Sequence, residues 1–113
     1  MHIVTIKRLQ QASEEYREAA QEIGSWTRIV RSARWRSFQE LRASFPDADD
    51  GDGFVVFNIL HNRDRLVVAV HYAKVIDGRL TLGHVYIGSF MTHKEYSRWC
   101  AATEKKRAEW LQF

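Results

Sequence analysis

The sequence predicts an α+β fold: a small antiparallel sheet with two N-terminal helices and a C-terminal helix, in the order β-α-α-β-β-β-α. Three observations carry this. Ile6, Leu9, Ala12, Tyr16, Ala19, Ala20 and Ile23 fall on one face of a helical period. Residues 54–87 read instead as three β-rich runs, two of them joined by Asp77-Gly78, a two-residue hairpin signal. Thr92 and Glu95 then have the spacing of a capping box and open the last helix.

The elements follow in order. Residues 2–5 form a short strand, and the first helix runs from Ile6 to a stop at Gly24. Ser25 caps a second helix striped by Trp26, Ile29, Val30 and Ala33. Ser37 with Glu40 forms a further capping box, opening a short turn through Phe38 and Leu41. Phe45-Pro46 begins an acidic loop through Asp47, Asp49, Asp50 and Asp52. It is not a calcium loop, because from Asp47 the fifth position is Gly51 and the twelfth Asn58, not glutamate. The strands are Phe54–Leu60, Arg65–Ile76 and Arg79–Ile87, and the last helix places Tyr96, Trp99, Cys100, Thr103, Arg107, Trp110 and Leu111 near one stripe.

Length and composition bound the function. The 113 residues fit one domain, and 45% apolar with 27% charged content is that of a soluble globular protein. No apolar run is long enough to span a bilayer, and the N-terminus lacks a secretion-signal layout. Cys100 is the single cysteine, so an internal disulfide and a cysteine-based metal site are excluded, and a reducing cytoplasm is expected. Seventeen basic against fourteen acidic residues give +3. Arg28, Arg31, Arg34, Arg36 and Arg42 cluster with Trp35 and Phe38 among them. That pattern fits either an RNA footprint or a solvated helix face over buried aromatics.

The hairpin sets a register. If Ile76 opposes Arg79, then His71 faces His84, Ala69 faces Tyr86 and Val67 faces Gly88. Leu66, Val68, Val70, Tyr72, Val85 and Ile87 then share a face suited to packing on helices. Arg65, Val67, Ala69, His71, His84 and Tyr86 share the other, which is polar enough to line a groove. The His71/His84 pair reads as a solvated pair, an RNA contact or an incomplete metal site lacking a third ligand. His93 and Lys94 fall in the first turn of the last helix, where backbone N–H groups and the helix dipole suit an anion such as phosphate.

Several segments together resemble the HigB toxins, a branch of the RelE-like mRNA interferases of bacterial toxin–antitoxin systems. They are Met1-His2-Ile3-Val4, Ala43-Ser44-Phe45-Pro46, Val56-Phe57-Asn58-Ile59, Asn62, Arg65-Leu66-Val67-Val68 and Met91-Thr92-His93-Lys94-Glu95-Tyr96, in order over nearly the whole chain. The resemblance implies a single RelE-like domain over residues 1–113 and an endoribonuclease toxin that cleaves mRNA on translating ribosomes. Cleavage would proceed by attack of the 2′-hydroxyl on the adjacent phosphate, without metal or cofactor. The implied partners are a HigA-like helix-turn-helix antitoxin, mRNA and the ribosome, with no membrane. Three departures stand out. Leu60-His61 replaces a glycine pair common in the family, the hairpin at Asp77-Gly78 is longer than usual, and Gly88 stands where an arginine is frequent. The third keeps open a catalytically weak or inactive RelE-fold module that binds protein or RNA; a small interaction domain with a chance motif match is a further alternative.

The residues expected to carry catalysis are Arg65, His93 and Tyr96. Arg65 matches the family arginine and would stabilise charge on the phosphate, its alternative being a surface arginine at a strand end. His93 would move a proton or help cap the helix. Tyr96 would pack, yet still reach a groove with its hydroxyl. Lys94, Arg63, Asn58, His71 and His84 are the expected RNA contacts, with Asn58 alternatively closing a turn.

Overall fold

The computed structural model describes residues 1–51 and 53–110, apart from the side chains of Glu104 and Trp110; Asp52 and Leu111, named above, lie outside the described residues. The five-stranded sheet has the order β1-β7-β4-β3-β2. It comprises β1 (His2–Val4), β2 (Asp49–Gly51), β3 (Phe54–Ile59), β4 (Asp64–His71) and β7 (His84–Thr92). β1 pairs with β7 in parallel, and the other pairings are antiparallel. β5 (Val75–Ile76) and β6 (Arg79–Leu80) make a separate two-stranded ribbon. The α+β expectation holds.

One face of the sheet is covered by α1 (Ile6–Glu15), a 3-10 turn at Arg17–Ala19, α2 (Ala20–Ser32) and α3 (Phe38–Ser44). Leu9, Ile23, Trp26, Val30, Trp35 and Leu41 pack there on Phe57, Leu66, Val68, Val85 and Ile87. Trp26 and Phe45 both meet Phe57 edge-on, at 5.4 and 5.0 Å between centroids. Burying each such side chain favours the fold by about 1.5–3 kcal/mol before ordering costs. The opposite face carries a smaller cluster of Val56, Val67 and Met91 under Trp99 of α4 (His93–Ala101), followed by α5 (Glu104–Trp110).

The structure corrects several boundaries. The first helix does not run to Gly24; it ends at Tyr16, whose ring turns onto Phe90 at 5.1 Å, and Gly24 and Ser25 lie inside α2. Asp49–Gly51, read as loop, is an edge strand paired with Phe54–Val56. The last helix breaks at Ala102, where the backbone is extended. Ser37 caps α3 by accepting from Glu40 N–H, but the Glu40 carboxylate reaches back to Arg36 rather than to Ser37.

The long hairpin is also divided. Ile76 does oppose Arg79, and Asp77 and Gly78 both have positive φ, as such a turn requires. However, Ala73 N–H is donated to Trp35 O and not across the ladder. A Cβ at Gly83 would sit 2.6 Å from the His71 carbonyl, so only glycine permits this crossing. His71 and Ala69 pair with His84 and Tyr86 as expected, but Val67 pairs with Ser89. Gly88 is therefore the extra residue of a β-bulge between the pairs Val68–Ile87 and Val67–Ser89. The bulge switches the parity of β7, turning Phe90 to the helix layer and Met91 to the opposite face.

Candidate functional site

The site starts from the four-residue turn between β3 and β4. Leu60 and His61 both adopt left-handed backbone, φ 52° and 58°, where L-residues are strained. Leu60 N–H is held by the Glu22 carboxylate at 2.6 Å, and Arg63 N–H closes the turn on Leu60 O at 3.1 Å. This conformation points Asn62 back at Arg65. Arg65 Nη1 donates to Asn62 O and Asp64 O at 3.0 and 3.1 Å, and Nη2 donates to Asn62 Oδ1 at 3.1 Å. Arg65 is only 8% exposed, and its guanidinium lies 5.4 Å from the centroid of Tyr96. These bonds engage both Nη1 hydrogens and one on Nη2, leaving Nε–H and one Nη2–H without a partner among the described residues. The result is a fixed, desolvated cation with unused donors, a combination suited to a phosphate oxygen.

Tyr96 connects this cation to α4. Its ring is stacked near Trp99, with centroids 5.9 Å apart. Burial, followed by the hydrogen bond to and charge of Cys100, pushes its phenol up to about 12, with Arg65 opposing. Tyr96 is therefore a donor at neutral pH and not a base. It also lines a cavity of about 150 Å³ with Asp49, Asp50, Gly51, Val56, Trp99 and Arg107. Arg107 closes this side, its guanidinium 4.3 Å from the Trp99 ring centroid while its carbonyl accepts from Trp99 Nε1 at 2.9 Å.

His93 and Lys94 are exposed in the first turn of α4. The capping box is complete: Glu95 N–H donates to Thr92 Oγ1 at 3.2 Å and Thr92 N–H to Glu95 Oε1 at 3.0 Å. His93 N–H goes to Arg63 O at 2.9 Å. Three backbone donors at this opening are thus engaged, so anion binding here falls mainly to side chains. Arg63 is exposed but paired with Glu18 at 3.4 Å. Beside it, Asp64 is 2% exposed, and burial raises its carboxyl above the ordinary range, with the Glu18 and Glu95 charges adding and Arg63 and Arg65 opposing.

The structure thus brings Arg65, Tyr96, His93, Lys94 and Arg63 to one end of the sheet. Asn58 is in β3 directly opposite Arg65, not in the turn. His71 and His84 lie elsewhere: six residues along β4 from Arg65 is about 20 Å. The basic stretch of α2 and α3 also lies apart, in the helix layer. Its Trp35 is core, Arg36 pairs with Glu40 and Arg42 donates to Pro46 O. At the bulge, Arg8 Nη1 donates to Ile87 O at 2.9 Å, placing a guanidinium beside Gly88. Sequence reasoning missed the holding role of Asn62 and the burial of Asp64. The three-residue step from Asn62 to Arg65 across a turn was the available signal for the first.

Together, the sheet order, the covered face and the cation held beside α4 define a small α+β protein of the RelE-like type. The family model for HigB toxins, the RelE-like toxic component of a toxin–antitoxin system, matches residues 19–99, and the chain belongs to that family. It is 29% identical over 109 residues to the mRNA interferase toxin HigB of Escherichia coli strain K12, covering 94% of this chain and 97% of that protein. It has the same identity and coverage with the mRNA interferase HigB of Shigella flexneri. Family and relatives support an endoribonuclease toxin, as the motifs implied, and membership implies an antitoxin partner and an RNA target.

Proposed function

We propose that this toxin cleaves mRNA on translating ribosomes in the cytoplasm, and that a HigA-like helix-turn-helix antitoxin restrains it. The observation that carries the mechanism is the Arg65 guanidinium, fixed by Asn62 and desolvated beneath Tyr96. The 2′-oxygen of the substrate attacks the adjacent phosphorus and the 5′-oxygen leaves. The products are a 2′,3′-cyclic phosphate and a 5′-hydroxyl end. Arg65 stabilises the charge on the crowded phosphate. His93, exposed at the α4 opening, moves a proton, and Tyr96 donates from its neutral phenol. Lys94 and Arg63 hold neighbouring phosphates, Asn58 contacts the substrate across from Arg65, and His71 with His84 extend the RNA path. Every step uses side chains of this chain, with no metal or cofactor taking part.

Induction in a bacterium lacking the antitoxin tests the reading. Growth arrest with transcripts cut at translated codons is expected, and Arg65→Ala and His93→Ala relieve it. Harmless expression with intact transcripts overturns it. That outcome would favour the second reading, a RelE-fold binding module of little or no activity, which Gly88 supports because the bulge carries no side chain at that position.

A further inference from the structure

The open end of the sheet carries a row that the hairpin register alone did not reveal. His2 of β1 pairs with His84 of β7, and His84 pairs with His71 of β4. Three imidazoles from three adjacent strands therefore stand side by side on the face that carries Arg65. Tyr86 joins them, next along β7 on the same face. His2 and His84 meet edge-on at 5.5 Å, His71 and Tyr86 at 4.8 Å, and His84 lies nearly parallel to Tyr86 at 6.0 Å. His2 and His71 are exposed, and His84 and Tyr86 are half-buried. His84 and Tyr86 present nearly parallel rings, and His2 and His71 stand edge-on beside them. Among the described residues, no group of three His, Cys, Asp or Glu could hold a metal ion.

Unlike the other end of this face, which Trp99 covers, the row is not part of a packed cluster. Ala69, opposite Tyr86, keeps the floor low between it and Val67. Exposed aromatic rings on a sheet, with N–H and O–H groups at their edges, are what unstacked RNA bases pack on and hydrogen-bond to. The row lies about 20 Å from Arg65 along β4, a distance a few nucleotides of single strand can bridge.

We propose that His2, His71, His84 and Tyr86 form a stacking subsite for a base of the message a few nucleotides from the bond cut at Arg65. The proposal rests on the ribonuclease reading and deepens it. It assigns roles to His2 and Tyr86 and gives the row a task in affinity, separate from chemistry.

The test is single-turnover cleavage of mRNA on programmed ribosomes, over a range of toxin concentrations. The substrates are a full-length message and messages shortened stepwise from either end. Tyr86→Ala should raise the half-saturating toxin concentration about 5- to 150-fold, the worth of one stacked base, and leave the plateau rate unchanged. The effect should vanish on messages too short to reach the row. Tyr86→Phe, which keeps the ring, should retain wild-type affinity, and a thermal melt confirms that each variant is folded. Unchanged half-saturation in folded variants overturns the proposal, as does an equal loss on short and long messages. Unchanged cleavage with weakened antitoxin binding overturns it too, making the row a protein contact. A wild type that leaves messages whole overturns the ribonuclease reading as well, whereas a cleaving wild type with indifferent variants overturns the subsite alone.

Discussion

Asn62 grips Arg65 twice, with its backbone carbonyl at 3.0 Å from Nη1 and its side-chain oxygen at 3.1 Å from Nη2. A guanidinium held this way has lost its rotameric freedom before any phosphate arrives. It is also nearly excluded from water, so its charge acts over a short distance at low screening.

Removing the side-chain half of that grip should loosen the cation without deleting it. Asn62→Ala is expected to lower stability by about 1.5–3 kcal/mol, the worth of a hydrogen bond to a charged group. Cleavage should fall by roughly tenfold or more in single-turnover rate at saturating toxin. Urea titration and cleavage kinetics read the two effects separately; an unaltered plateau rate would show that Asn62 does not position Arg65.

The turn that presents Asn62 is strained. His61 is exposed at φ 58°, a conformation costing an L-residue about 1–2 kcal/mol. Glycine relieves that but loses more entropy on folding. His61→Gly should therefore stabilise by a net of about 0.5–1 kcal/mol, visible as a higher urea midpoint at unchanged slope. Leu60→Gly should not match it, because Leu60 also packs on the core.

Tyr96 titrates near 12, so it is a neutral phenol across the physiological range. Tyr96→Phe should lower the cleavage rate by a similar factor at every pH from about 6 to 9, leaving the shape of the profile to other groups. A change of shape within that window would contradict the raised value. Spectrophotometric titration of the phenols should show the most alkaline component missing from the variant.

Asp64 gives a pH dependence of stability. Its folded value is raised, so the folded state holds the proton more tightly than the unfolded chain. Its contribution to stability is therefore greatest below the ordinary carboxylate value and falls as pH rises through that value to the raised one. Asp64→Asn removes this burden. The variant should melt above wild type at pH 7, with the difference shrinking towards pH 3. A difference independent of pH would mean that the carboxyl is not the group responsible.

Much of this molecule is legible in order along the chain. The Asp77-Gly78 turn, the capping box at Thr92 and Glu95 and the pairing of His71 with His84 depend on residues close in sequence or counted from one turn. The split of the first helix at Tyr16 was not legible: the ring that leaves the helical stripe there meets Phe90, a partner more than seventy residues away. Neither was the divided hairpin, since its cause is Ala73 bonding to Trp35 and the close crossing at Gly83.

The candidate site divides in the same way. The sequence by itself identified the residue types: Arg65, His93 and Tyr96 were visible as motif members, and alternation placed Arg65 on the face opposite the one that packs on helices. Tertiary structure alone decided what those residues can do. Burial beneath Tyr96 and two bonds from Asn62 turn Arg65 from a strand-end arginine into a fixed cation. The parallel pairing of β1 with β7 brings His2 beside His84. The bulge, by inserting one residue, gives Gly88 a structural role and puts Ser89 opposite Val67. The physical reason is that periodicity and turn chemistry are local, whereas desolvation, strand partners and bulges depend on what the rest of the chain brings alongside.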